Sequence, residues 1–206
     1  MNNTVKRLTT GAMLVALSAL LSMLVIYRLP YGGSVTAFSM LPVCVFAYKY
    51  GLKWGLLGGL AFSLTRILLG SLGGAAFASM DLLDLTLMLF LDYIAAYTFL
   101  GLAAVTRGKL KSERSGLVWG IVIACAARLL AHSLSGYILF RQYAEWFFSQ
   151  EGFTFGAWVL DNLGGQGLMI FYSVFYNAMF LVPETLITVA AGAILMSALG
   201  KRILAD

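Results

Sequence analysis

Six apolar stretches, separated by short charged or aromatic connections, limit this chain more than any other feature of its sequence. A helix needs about 20 mostly apolar residues to cross the hydrocarbon core of a bilayer. The stretches run from about Leu8 to Ile26, Ala37 to Tyr48, Gly55 to Leu72, Leu82 to Val105, Leu117 to Phe140 and Leu168 to Leu199. The second is short: it either re-enters the membrane or crosses by extending back through Val35. The last is longer than one crossing needs, which points to tilt or to a start at the surface. Hydrophobic residues make up 61% of the 206 positions and charged residues 11%, and the mean hydropathy is +0.89. A soluble fold of this size has too little interior to hide that much apolar surface. The expectation is an all-α membrane protein, a six-transmembrane-helix bundle forming one integral-membrane domain over residues 1–206. A soluble enzyme, a nucleic-acid binder and a disordered tail are excluded.

The basic residues orient the bundle. With a cytoplasmic N-terminus, ten lie inside: Lys6, Arg7, Lys49, Lys53, Arg107, Lys109, Lys111, Arg114, Lys201 and Arg202. Only Arg28 and Arg141 lie outside, while Arg66 and Arg128 sit within spans. This positive-inside bias calls for an even number of crossings, with the N- and C-termini both cytoplasmic. Asp81, Glu145, Glu151 and Asp161 fall in outside loops, so the outer entrance attracts cations. No cleavable leader is evident. The external connection 141–166 is aromatic and amphipathic, with Tyr143, Trp146, Phe147, Phe148, Phe153, Phe155 and Trp158. Two readings stand for it: a helix lying in the interface, or a lid over an outward-facing pocket.

Ionisable residues inside a span are costly and mark function by default. On the fifth stretch Arg128, His132 and Gly136 recur every four residues and share one face. On the fourth, Asp81, Asp84, Met88 and Asp92 form a stripe that Tyr93 adjoins. The sixth holds Tyr172, Tyr176, Asn177 and Glu184. Each has a plainer role: Arg66 and Arg128 can neutralise Asp92 or Glu184, since a buried charge must be paired, and Tyr and Asn can simply join helices. Together they supply a carboxylate, aromatic rings, an imidazole and an amide toward the outer half of three helices, which suits a small aromatic cation. No phosphate-cradling loop is present, because Gly108-Lys109 lacks the leading glycine and the following hydroxyl. Cys44 and Cys125 are scattered within apolar runs, beside a single histidine. The chain is therefore expected to be no enzyme, to bind no metal and to carry no cofactor. Small residues recur on the first stretch (Gly11, Ala12, Ala16, Ala19) and around the third (Gly51, Gly55, Gly58, Gly59). Such faces pack within a bundle or dock another membrane protein.

Several motifs resemble a known family. Gly32-Gly33-Ser34-Val35-Thr36, Met40-Leu41-Pro42 and Tyr48-Lys49-Tyr50-Gly51 resemble the second-helix signature of vitamin-binding S components of energy-coupling factor transporters. Leu91-Asp92-Tyr93-Ile94, Arg128 through His132 with Ser135-Gly136, and Tyr172 through Asn177 with Val182-Pro183 resemble motifs of the thiamine-specific branch. The resemblance implies high-affinity capture of thiamine outside the cell by a multi-pass protein of the bacterial plasma membrane. A transmembrane scaffold subunit and two cytoplasmic ATPases would complete the importer. It assigns substrate binding to Asp92, Tyr93, His132, Phe140, Tyr172 and Asn177, and scaffold docking to Ala12 and Ala16. Where this chain has Asp92 and Phe140, some members carry Glu and Trp, and the fifth connection is longer here. A related ligand, the pyrimidine precursor hydroxymethylpyrimidine, is thus a second candidate. The rival function is a stand-alone proton-coupled transporter for either compound, with Asp92, Glu184 and His132 as a relay; the lack of a visible inverted repeat counts against it.

Overall fold

A computed structural model describes residues 3–29, 32–71 and 80–205. Helix α1 (Asn3–Ser22) leads into an antiparallel hairpin of β1 (Val25–Arg28) and β2 (Ser34–Thr36). There follow α2 (Leu41–Tyr50), α3 (Leu52–Arg66), α4 (Leu82–Thr106) and α5 (Glu113–Leu139). Two short outer helices, α6 (Ala144–Phe148) and α7 (Thr154–Asn162), precede the long α8 (Gly165–Leu204).

Local chemistry sets several of these limits. Pro42 stands in the first turn of α2, where its missing N–H costs nothing. Asp81 caps α4 by accepting from the Asp84 amide at 2.8 Å, and Ser112 caps α5 by accepting from the Ser115 amide at 3.1 Å. Gly51 takes a φ of 90°, which lets α2 reverse directly into α3.

Among the described residues, five helices are long and apolar enough to cross a membrane: α1, α3 continued to Leu69, α4, α5 and α8. The helical membrane architecture is as expected, and the second stretch supplies the refinement. Its helix has ten residues, about 15 Å at 1.5 Å per residue, so α2 alone falls short of a bilayer. The segment before it is the hairpin, which takes in the end of the first expected stretch. Pro42 through Tyr48 of α2 are buried, so this helix is a core element rather than a lipid-facing one. The expected end of the third stretch at Leu72 lies outside the described residues. The sixth stretch is one continuous helix of 40 residues, about 60 Å long. That is roughly twice the hydrocarbon thickness, and it extends beyond the expected limits at both ends.

Contacts fix which ends lie together. The Arg7 guanidinium sits over the rings of Tyr50 and Trp54. The Lys49 ammonium donates to the carbonyls of Ile203 and Ala205 at 2.5 and 2.8 Å. The Tyr48 hydroxyl donates to Glu113 at 2.6 Å. The N-terminus, the α2–α3 turn, the start of α5 and the C-terminal end of α8 therefore share one end of the bundle. That end collects the basic residues read as cytoplasmic. Strands β1 and β2, α6 and α7 belong to the opposite end.

The main core lies among α2, α3, α4 and α5, with Tyr48, Phe62, Leu100, Leu117 and Ile121 almost wholly buried. Small residues allow that packing. A Cβ on Gly101 would stand 2.4 Å from the Leu56 amide nitrogen, and one on Gly59 would stand 2.6 Å from the Tyr97 carbonyl. The glycines of the third stretch thus serve the bundle itself. The small stripe on α1 divides: Gly11 and Ala19 are buried, whereas Ala12 and Ala16 are exposed.

Candidate functional site

The fourth and fifth helices meet at a carboxylate. His132 and Ser135 lie three residues apart on α5, the spacing that places two side chains side by side on a helix. Together they clasp Asp92: His132 Nδ1 lies 2.8 Å from one carboxylate oxygen, and the Ser135 hydroxyl donates to the other at 2.6 Å. An ionised carboxylate only accepts, so the shared proton belongs to Nδ1. In a neutral ring this leaves Nε2 as an acceptor, and that atom is buried without a hydrogen-bond partner. The Asp92 side chain retains 20% exposure against 10% for His132, so the carboxylate is partly open to an incoming group. Around Asp92 the backbone of α4 winds as a π-helix from Leu89 to Ala95. This rare geometry concentrates at functional sites, and the sequence pattern gives no sign of it.

Helix α8 closes the other side. The Asn177 amide donates to the His132 carbonyl at 3.1 Å and to the Ser173 carbonyl at 2.8 Å. Both amide hydrogens are thereby engaged, and Oδ1 remains as an acceptor. Gly136 makes this approach possible, because a Cβ there would come within 3.2 Å of Asn177 Nδ2. The stripe 128–132–136 on α5 therefore runs against 184–180–177–173 on α8 in antiparallel order. Below His132, Arg128 pairs with Glu184 at 3.0 Å, donates to the Met40 sulfur at 2.8 Å and lies 4.5 Å from the centre of the Tyr97 ring. Glu184 also accepts from the Thr36 hydroxyl and, at 3.3 Å, from the Thr36 amide. Both ions are buried and paired with each other, as a low-dielectric site requires, while Arg128 Nε is buried without a hydrogen-bond partner. Of the pairings open for Arg128, Glu184 is the one realised. Arg66 lies 5.8 Å from the centre of the Tyr97 ring.

The expected aromatic residues occupy two places. Tyr172 belongs to a cluster with Phe147, Phe148 and Tyr176, its ring 5.4 Å from that of Phe147, and Phe140 packs against the same cluster. Tyr93 lies on the α4 side, 6.3 Å from Tyr97, against the main core. Asp92, His132 and Asn177 are thus joined by hydrogen bonds, Phe140 and Tyr172 roof the outer end, and Tyr93 stands apart from that roof. The 141–166 connection folds as α6 and α7 onto the first turns of α8 through Phe148, Phe153 and Phe155. Phe148 is buried against α8, whereas Tyr143, Trp146, Phe155 and Trp158 keep exposed faces of the kind found at a membrane interface. Ser135, Thr36 and Phe180 were not expected as site residues. Ser135 and Thr36 stand in motifs that carry the family resemblance, whereas Phe180 left no signal.

Comparison with known proteins adds to this geometry. The family described as "Thiamine transporter protein" matches residues 8–150. The thiamine transporter ThiT of Bacillus subtilis is 28% identical over 168 residues, 77% of this chain and 72% of that protein. A solved structure of ThiT from Listeria monocytogenes superposes with a TM-score of 0.62 at 19% identity, covering 98% of this chain and 96% of that one. At that identity the structural likeness speaks for the fold.

Proposed function

This chain belongs to the thiamine transporter protein family, and on that premise we propose that it is the vitamin-capturing membrane subunit of an energy-coupling factor importer. It is a multi-pass protein of the bacterial cell membrane. Thiamine is the ligand, taken up at the outer end of the bundle. The Asp92 clasp carries the reading. A thiazolium ring entering a low-dielectric site needs a counter-ion, because an unpaired buried charge costs several kcal/mol. Asp92 is held by His132 Nδ1 and the Ser135 hydroxyl and is partly open. His132 Nε2 and Asn177 Oδ1 are acceptors, and they suit the exocyclic amine of the aminopyrimidine. Tyr93, Phe140 and Tyr172 supply ring faces on either side. The relay of the proton-coupled alternative has no support here, since Glu184 bonds to Arg128 and Thr36 rather than to His132.

Partner subunits complete the importer under this reading. The exposed Ala12 and Ala16 of α1 offer a flat face to a transmembrane scaffold, and two cytoplasmic ATPases supply the energy. Isothermal titration of the detergent-purified chain tests the ligand. Thiamine binds, and an analogue with an oxo group in place of the pyrimidine amine binds at least about tenfold more weakly, because two acceptors then face an acceptor. Equal affinity for the two compounds would remove the assigned roles of His132 and Asn177. Tight binding of hydroxymethylpyrimidine alone would favour the precursor as the ligand.

A further inference from the structure

Helices α6 and α7 and the first turn of α8 enclose an open cavity of about 630 Å³ at the outer end, lined by Glu145, Trp146, Ser149, Leu160, Leu163 and Leu168. A recess of about 190 Å³ adjoins it through Glu145 and Leu168. The larger space falls in the size range of small-molecule sites. Its floor, Leu168, is buried. One helical turn further along α8 stands Tyr172, part of the roof, and Asn177 of the clasp follows. Cavity, roof and Asp92 clasp thus succeed one another from the outer surface inward. Helix α6 serves two of them, since Phe147 and Phe148 pack on Tyr172 while Glu145 and Trp146 line the cavity.

The lining has the chemistry to hold an organic cation. Glu145 supplies its carboxylate, is exposed, and forms no ion pair among the described residues. Arg141, four residues earlier, lines the recess, but its guanidinium lies over the Tyr137 ring, 5.6 Å from the centre. Trp146, beside Glu145, keeps 44% exposure, so an indole ring and a carboxylate border the same opening. The carboxylate offsets the charge of a cation, and a tryptophan face attracts it. Water reaches both groups, so the hold is weak and quickly released. Glu151 and Asp161 are exposed at this end as well but line neither space.

We propose that this cavity is a vestibule for the vitamin: Glu145 and Trp146 hold the cation loosely at the outer surface before it passes inward to Asp92. This role rests on the thiamine-capture reading and concerns the approach of the ligand rather than its final complex. Stopped-flow tryptophan fluorescence of the purified full chain is recorded at low salt and rising thiamine concentration. The observed binding rate levels off as the vestibule fills. Glu145→Gln keeps the size of the side chain and removes its charge. It raises the half-saturating concentration about fivefold and leaves the final affinity within about twofold. Glu151→Gln removes an equal charge outside the cavity and leaves both quantities as in wild type. A wild-type rate that stays linear with concentration, or an unchanged half-saturation in Glu145→Gln, would overturn the proposal. So would an equal shift in Glu151→Gln, which marks a diffuse field. A final affinity that falls in step with the half-saturation also overturns it, because Glu145 then touches the bound vitamin. If wild type binds no thiamine, the capture reading fails, and quenching by N-methylpyridinium, an aromatic cation, decides the vestibule by itself. The Trp146 signal, taken as the difference from Trp146→Phe, is then quenched more strongly in wild type than in Glu145→Gln, whereas equal quenching refutes the site.

Discussion

The two ends of this bundle are built on different principles. At the inner end, helices meet backbone to backbone: a Cβ on Gly101 would stand 2.4 Å from the Leu56 amide nitrogen, and one on Gly120 would stand 2.2 Å from the Ala103 carbonyl. Polar contacts there, such as Lys49 to the Ile203 carbonyl and Tyr48 to Glu113, lie at the rim around that backbone packing. At the outer end, helices meet through side chains, namely the Asp92 clasp, the Glu184 junction and the ring cluster of Tyr172, Phe147 and Phe148. Close backbone packing makes a rigid platform. Side-chain contacts of that length and polarity can be exchanged for contacts to a ligand. Under the proposed function, the backbone-packed inner end holds its shape and the outer end takes the ligand.

That contrast can be broken at either end. The largest expected effect belongs to Glu184→Ala, which strands a buried guanidinium and destabilises the protein by about 3–5 kcal/mol, seen as a lowered midpoint of thermal unfolding in detergent. Replacing both ions, Arg128→Met with Glu184→Leu, recovers most of that loss but leaves Thr36 without its acceptor. Gly101→Ala is next, at about 1–3 kcal/mol from overpacking. Its signature sharpens the comparison: the unfolding midpoint falls, while the affinity of the remaining folded protein for thiamine stays the same. A Gly101→Ala variant with wild-type stability, or with lost affinity at full stability, would dissolve the distinction between platform and recognition end.

Much of the polar outer end was legible in the sequence because lipid makes charge conspicuous. Asp92, His132 and Asn177 stand in stretches where each polar atom needs a reason, and helical spacing alone put Arg128, His132 and Gly136 on one face. The pairing of Arg128 with Glu184 was one of several options, since periodicity orders residues along a helix but leaves the register between helices open. The hairpin left no readable signal. Val25–Arg28 and Ser34–Thr36 are too short to show an alternation, and the first strand continues an apolar helical run without a break in composition. The second stretch was expected from Ala37 to Tyr48, and nothing local showed that its helix would begin at Leu41 and run ten residues. The π-helical winding around Asp92 is likewise a product of packing. The division of the aromatic residues between a roof and the α4 side depends on how α6 folds back, which a list of ring positions cannot convey.

The central claim is that Asp92 is the counter-ion of a bound cation. Titration of thiamine into Asp92→Asn, with a matched thermal melt to confirm folding, tests it most directly. The account predicts a loss of about 100-fold in affinity, roughly 2.7 kcal/mol, since removing one member of a desolvated charge pair costs about that much. A folded Asp92→Asn protein that binds thiamine as tightly as wild type would contradict it.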